Sequence, residues 1–219
     1  MDEQVNERAA ARAAIFEELF TRYPALEACR DDVAAAYATL FACCRVGGTV
    51  FTCGNGGSAS DSEHIVGELL KKFKKHRDIP AELKAKLLAA GPEGKRLAEK
   101  LEGSLSAVSL VSMTGILTAF ANDVGWDEAF AQQLLGLARP GDVLLALSTS
   151  GNSRNCVEAA VRARALGVKT IGLTGAGGGR FRDVCDVTVR VPATETYQIQ
   201  EFHLPVYHAL CAMLEAELF

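Results

Sequence analysis

Four hydroxyls and one glycine crowd into six residues at Ser148-Thr149-Ser150-Gly151-Asn152-Ser153. The stretch follows the apolar run Asp142-Val143-Leu144-Leu145-Ala146-Leu147 and precedes a helical pattern that begins Asn155-Cys156-Val157. A strand-to-helix turn of this composition aims backbone N–H groups, the positive end of a helix dipole and several O–H donors at one point. The natural guest is a phosphate. A helix cap is the simpler use of Ser and Asn there, but a cap needs one hydroxyl, not four. A second donor-rich loop, Gly54-Asn55-Gly56-Gly57-Ser58, follows an earlier apolar run, with a helix expected from Ser58. Ser58 and Asp61 have the spacing of a capping box. Glycines at 54, 56 and 57 let backbone N–H groups approach a ligand closely. The loop is neither a GxGxxG fingerprint nor a Walker A loop.

Proton chemistry has candidates on two helices. His64 and Glu68 are four residues apart, one turn along a single helix face. The far end of the chain supplies Gln200-Glu201-Phe202-His203 and then His208. Each histidine alone reads more simply as a satisfied imidazole. Two helices able to act as acid and base at the rim of one anion pocket read more strongly as catalysis. On an ideal helix, positions 201 and 208 are about 20° apart and positions 200 and 208 about 80° apart. Spacing therefore selects Glu201 to accompany His208.

These groups need a scaffold. Residues 1–46 read as N-terminal helices: Ile15, Leu19 and Phe20 form one apolar stripe, Val33, Tyr37, Leu40 and Phe41 another, and Pro24 separates them. Five β-leaning runs follow at Thr49–Cys53, Ala107–Val111, Val143–Leu147, Thr170–Leu173 and Val187–Val191, mostly separated by helical patterns. This alternation predicts an α/β fold, a three-layer αβα arrangement with a five-stranded parallel sheet. In the flavodoxin-like order 2-1-3-4-5, strands one and three meet at the switch point, so the two loops line one pocket. The segment from about Tyr197 to Phe219 reads as a long helix that Pro205 should kink or break. Residues 71–104 read as an insertion between strands one and two, helical over 74–104 and a candidate flap over the site. Its cations Lys71, Lys72, Lys74, Lys75 and Arg77 read as the solvated end of a helix, opposing the C-terminal dipole.

The chain of 219 residues is 49% hydrophobic and 23% charged, enough for one well-filled α/β domain. A formal net charge of −4 argues against a nucleic-acid partner bound through bulk electrostatics. No apolar run is long enough to span a bilayer. The start Met1-Asp2-Glu3-Gln4 has no signal-peptide character. Seven cysteines without a CxxC spacing predict reduced, buried thiols in a cytoplasmic protein.

GNGGSxxDxxH followed by STSGNS resembles the sugar-isomerase (SIS) domain family, and within it the phosphoheptose (sedoheptulose 7-phosphate) isomerases. The resemblance covers nearly the whole chain except 71–104. It implies phosphate binding by Ser58, Ser148, Thr149, Ser150 and Ser153, with Asn55, Gly56, Gly57 and Gln200 also lining the substrate site. It implies that Glu68 and His208 are the catalytic pair, meeting across a subunit interface, and that Asn122-Asp123, with Trp126 nearby, contacts the sugar. His64, Glu68, Gln200 and His208 match positions that bind zinc, one ion per subunit. Two imidazoles, a carboxylate and an amide oxygen suit such a borderline cation. The reaction implied is aldose–ketose isomerisation of D-sedoheptulose 7-phosphate to D-glycero-D-manno-heptose 7-phosphate through an enediol, in synthesis of activated heptose for bacterial surface glycans. The resemblance also implies a homo-oligomer, a tetramer with sites at subunit interfaces. One departure is Tyr197, where shorter members carry an aspartate, and it leaves the exact phosphosugar open. The rival readings are a non-catalytic SIS protein that binds a phosphosugar or a replication initiator, and an isomerase or deaminase of another phosphosugar. A sugar-responsive regulator is disfavoured because no helix-turn-helix segment precedes the domain.

Overall fold

Apolar runs too short for helices pair as strands because parallel strands can bury both faces under crossover helices. The computed structural model describes residues 2–219. Its strands are β1 (Val50–Cys53), β2 (Ala107–Ser109), β3 (Val143–Leu147), β4 (Lys169–Thr174) and β5 (Val187–Arg190). They form one parallel sheet in the order β2-β1-β3-β4-β5, the order the sequence predicts. Every residue of β1 and β3 is buried. The register sets Val50 beside Val143 and Cys53 beside Ala146, so the loops leaving β1 and β3 emerge side by side.

Side chains alternate between two cores. Val143, Leu145 and Leu147 join one, with α1 (Asp2–Arg22), α2 (Arg30–Arg45), α3 (Gly57–Leu70) and α10 (Thr196–Leu218). Leu144 and Ala146 join the other, with α6 (Thr114–Asp123), α7 (Ala129–Leu137), α8 (Arg154–Ala165) and α9 (Phe181–Val184). Pro24 opens a 3-10 segment, Pro24–Cys29, that separates α1 from α2. All seven cysteines are free, and all but the half-buried Cys185 are buried. Among the described residues, no helix is long and apolar enough to cross a membrane.

The structure corrects three local expectations. α3 starts at Gly57 with no side-chain cap; Ser58 is buried and Asp61 turns instead to Tyr207. Pro205 does not break α10, which continues on both sides of it. The helix packs on α1, α2 and α3, and that burial outweighs the backbone bond a proline removes. Finally, Arg77 is no solvated helix end. It is fully buried, because Glu215 of α10 supplies a carboxylate in the interior. The rest of the insertion forms α4 (Ala81–Ala89) and α5 (Gly91–Lys100), which pack chiefly on each other. The segment nearest the imidazoles is instead its first leg, where Phe73 lies against His208 with ring centroids 5.3 Å apart.

Candidate active site

Two loops meet at the carboxyl edge of the sheet. Gly56 (φ 56°, ψ −124°) takes a conformation that L side chains rarely adopt, and this turns the chain from β1 into α3. Asn55 and Asn155 exchange amide hydrogen bonds at 2.9 and 2.8 Å, which lashes the first loop to the start of α8. In the second loop the Ser148 and Ser153 hydroxyls are 2.8 Å apart, with Ser150 Oγ 3.5 Å from Ser148 Oγ. Thr149 carbonyl accepts from Gly175 N–H and Thr174 Oγ, which ties the loop to the end of β4. Gly151 (φ 65°) lets it turn tightly beneath Gly178. Hydroxyls and helix N-termini thus gather where the order of strands reverses, an arrangement suited to an anion.

Gln200 reaches this edge from α10. A Cβ at Gly57 would collide with the Gln200 Nε2, so the glycine is the space the amide occupies. Gly57→Ala is expected to leave the melting temperature within a few degrees, because the end of a flexible side chain can yield. A displaced amide should nevertheless lower kcat/KM by up to about 100-fold. Steady-state kinetics beside a thermal melt check both halves.

The titratable cluster lies further along α3. Ser58 and His64 are separated by about 9 Å of helix rise. His64 Nε2 is 3.2 Å from Glu68 Oε1, and His208 Nε2 is 3.4 Å from His64 Nε2. His208 therefore joins the α3 pair within a single chain, through the His64 ring. Burial lowers the His208 pKa, the neighbouring His64 adds to that, and Glu68 opposes it. Glu68 Oε2 is buried with no hydrogen-bond partner, although Lys71 Nζ stands 3.7 Å away. Glu201, the companion that spacing selects for His208, is exposed. His203 is fully buried with both ring nitrogens unpartnered; burial pushes its pKa down to about 4, so it is neutral.

The donors can be tested against zinc on this geometry. Bonds of about 2.0–2.1 Å in a tetrahedron place neighbouring donors about 3.3 Å apart. The two contacts at His64 match that spacing, and Glu68 Oε2 has no hydrogen-bond partner but has the Lys71 ammonium 3.7 Å away. Among the described residues, no group of three or more His, Cys, Asp or Glu is arranged to hold a metal ion. Gln200, the fourth member of the implied set, lies against Gly57.

Asn122 and Asp123 lie at the exposed end of α6, bonded to each other at 2.9 Å. Neither side chain hydrogen-bonds to the loops, but Asp127 just beyond them pairs with Arg154 at the start of α8, 3.3 Å away. Trp126 is exposed, as is Tyr197 at the start of α10.

Sequence reasoning missed three supporting residues. Tyr207 places its hydroxyl 3.1 Å from Asp61 Oδ1 and 3.0 Å from His64 Nδ1. Arg77 donates to the Glu68 carbonyl at 2.8 Å and the Leu69 carbonyl at 2.7 Å, filling the open C-terminus of α3. Glu215 accepts from Arg77 Nε and from the N–H groups of Phe73, Lys74 and Lys75. No periodicity marks such partners, because they are far apart in sequence.

A SIS domain model matches residues 97–175. A phosphoheptose isomerase from Rhodospirillum rubrum is 43% identical over 190 residues, 87% of this chain and 88% of that protein. The structure of a phosphoheptose isomerase from Neisseria gonorrhoeae superposes with a TM-score of 0.70 at 31% identity, covering 96% of this chain and 98% of that one. One from Francisella tularensis gives 0.72 at 29% identity, covering 92% and 95%. Sequence identity and fold together place this chain in the phosphoheptose isomerase family of SIS-domain proteins.

Proposed function

We propose that the chain isomerises D-sedoheptulose 7-phosphate to D-glycero-D-manno-heptose 7-phosphate. The observation that carries this reading is the layout along α3: an anion-binding edge at its N-terminus and the His64–Glu68–His208 group about two turns on. That layout suits a long sugar whose phosphate and carbonyl lie at opposite ends. The phosphate sits among Ser58, Ser148, Thr149, Ser150 and Ser153, beside the backbone of Asn55, Gly56 and Gly57. Glu68 takes the proton from the carbon next to the carbonyl and returns it to the neighbouring carbon of the enediol. His208 gives and takes the proton on the sugar oxygens. Gln200 and the Asn122-Asp123 segment contact the sugar.

Zinc bound by His64, Glu68 and His208, with Gln200 as the fourth ligand the resemblance implies, would supply Lewis acidity toward the substrate oxygens. The family also supports a cytoplasmic homotetramer that feeds activated-heptose synthesis.

The test is turnover on purified protein, followed as aldose formation. The expected result is conversion of the heptulose phosphate, faster than that of hexose or hexosamine phosphates and lost in a Glu68→Gln/His208→Ala double variant. A rate equal to that variant's would leave a phosphosugar-binding protein, and faster hexosamine conversion would reassign the substrate. Dialysis against EDTA should lower the rate and zinc restore it; a metal-free enzyme at full rate removes zinc from the proposal.

A further inference from the structure

Two carboxamides join the anion-binding loops, and a backbone donor fixes which way they face. Asn155, the second residue of α8, is only 2% exposed, and its side-chain oxygen accepts the N–H of Cys156 at 3.0 Å. A backbone N–H can only donate, so the atom it meets is the carboxamide oxygen, and this amide cannot be turned over. The same oxygen takes a bond from Asn55 Nδ2 at 2.9 Å, and Asn155 Nδ2 returns one to Asn55 Oδ1 at 2.8 Å. Asn55 Nδ2 has Cys156 Sγ, 3.7 Å away, for its other proton. Both donors of the half-buried Asn55 side chain are thereby committed to α8. A phosphate oxygen needs donors and finds none free on that amide. Among the described residues, no other side-chain hydrogen bond joins residues 54–58 to α8 or to the loop before it.

We infer that Asn155 is a positioning residue for the phosphoryl group. Its paired bonds to Asn55 hold the two loops at the spacing where the backbone of residues 55–57 and the hydroxyls of Ser148, Ser150 and Ser153 address one anion. The Asn55 side chain serves this clamp and not the ligand. The clamp is needed because the first loop is rich in glycine, and ordering such a segment costs more entropy than ordering any other. A loop already ordered before binding does not draw that cost from the affinity. Asn155 acts from behind: it is buried, touches the ligand nowhere, and sets where the donors stand. The inference deepens the isomerase reading and rests on the phosphate half of that site.

The probe is inorganic phosphate, titrated into 15N-labelled protein and followed by NMR. Wild type, Asn55→Ala, Asn155→Ala and the double variant are compared. Each single variant should bind phosphate about 10- to 100-fold more weakly, the range that a misplaced binding group produces. The double variant should be no weaker than the weaker single one, because either substitution already opens the clamp. Multiplying effects would show that Asn55 meets the anion on its own, and would overturn the inference. Unchanged affinity in Asn155→Ala, or a wild type that binds no phosphate, overturns it as well. In turnover, Asn155→Ala should raise KM with kcat within a few-fold, the mark of binding lost equally from ground and transition states. A fall in kcat at unchanged KM contradicts the assignment. If the variants do not fold, the ligand-free wild type decides: the carboxamide protons of Asn55 and Asn155 should exchange slowly with solvent, and fast exchange of the Asn55 pair refutes the clamp. Phosphate binding requires no sugar, so the clamp can stand while heptulose turnover fails, and turnover can stand while the clamp fails.

Discussion

Glu68→Gln is expected to lower kcat by about 10²- to 10⁴-fold while KM stays within a few-fold, the range that loss of a positioned acid–base group produces. The amide keeps the shape and one acceptor of the carboxylate but cannot take a proton. The setting favours this outcome over a structural one. Glu68 is half-buried on α3, its Oε1 rests on His64 3.2 Å away, and its Oε2 has no hydrogen-bond partner. The fold holds this residue by its backbone, through Arg77, rather than by its carboxylate. The variant should therefore melt close to the wild type. Metal content should be measured on the same sample. If the wild type proves to carry zinc, a variant that retains it and loses turnover assigns the defect to proton transfer, whereas joint loss assigns it to ligation. Unchanged kcat would remove Glu68 from the chemistry.

Removing one half of the Arg77–Glu215 pair is expected to be the most destabilising single change in the chain. Both side chains are almost fully buried, with Arg77 Nε 2.7 Å from Glu215 Oε1. Breaking a buried pair leaves an uncompensated charge and costs about 3–5 kcal/mol. At 2–4 °C per kcal/mol for a chain of this size, Glu215→Gln or Arg77→Met should lower the melting temperature by about 6–20 °C. An apolar double variant, Arg77→Met with Glu215→Leu, should recover part of that loss, because no lone charge remains. It should not recover turnover fully, since the Glu68 and Leu69 carbonyls still lose their donors.

The same pair predicts a pH dependence. Burial alone would raise the Glu215 pKa, but the N–H groups of Phe73, Lys74 and Lys75 together with Arg77 outweigh it, and the carboxyl is held below its ordinary value. A depressed folded-state pKa stabilises the protein above the unfolded-state pKa, and that stability is lost as pH falls through the lower, folded-state value. Thermal melts from pH 7 to pH 3 should fall more steeply for the wild type than for the apolar double variant. Parallel slopes would show that another group carries the acid sensitivity.

The amino-acid order alone determined the sheet. Strand runs of four or five residues, mostly separated by helical patterns, admit few topologies once crossovers must be right-handed. The donor-rich loops were legible for the same reason: glycine and hydroxyl runs at strand ends are local signals, and a local signal survives without coordinates. Tertiary structure decided everything that depends on two distant segments meeting. Helix spacing selected Glu201 beside His208, yet Glu201 faces water, because the burial of α10 against α1, α2 and α3 sets the helix rotation, and an ideal wheel cannot. Arg77 read as a solvated cation until Glu215, 138 positions away, supplied its counter-charge. Tyr207 carries no signal in the sequence; only the packing of α10 on α3 makes its hydroxyl the link between Asp61 and His64. Composition and periodicity encode which surfaces will be buried, but partners across that burial are chosen by geometry, which a linear pattern does not contain.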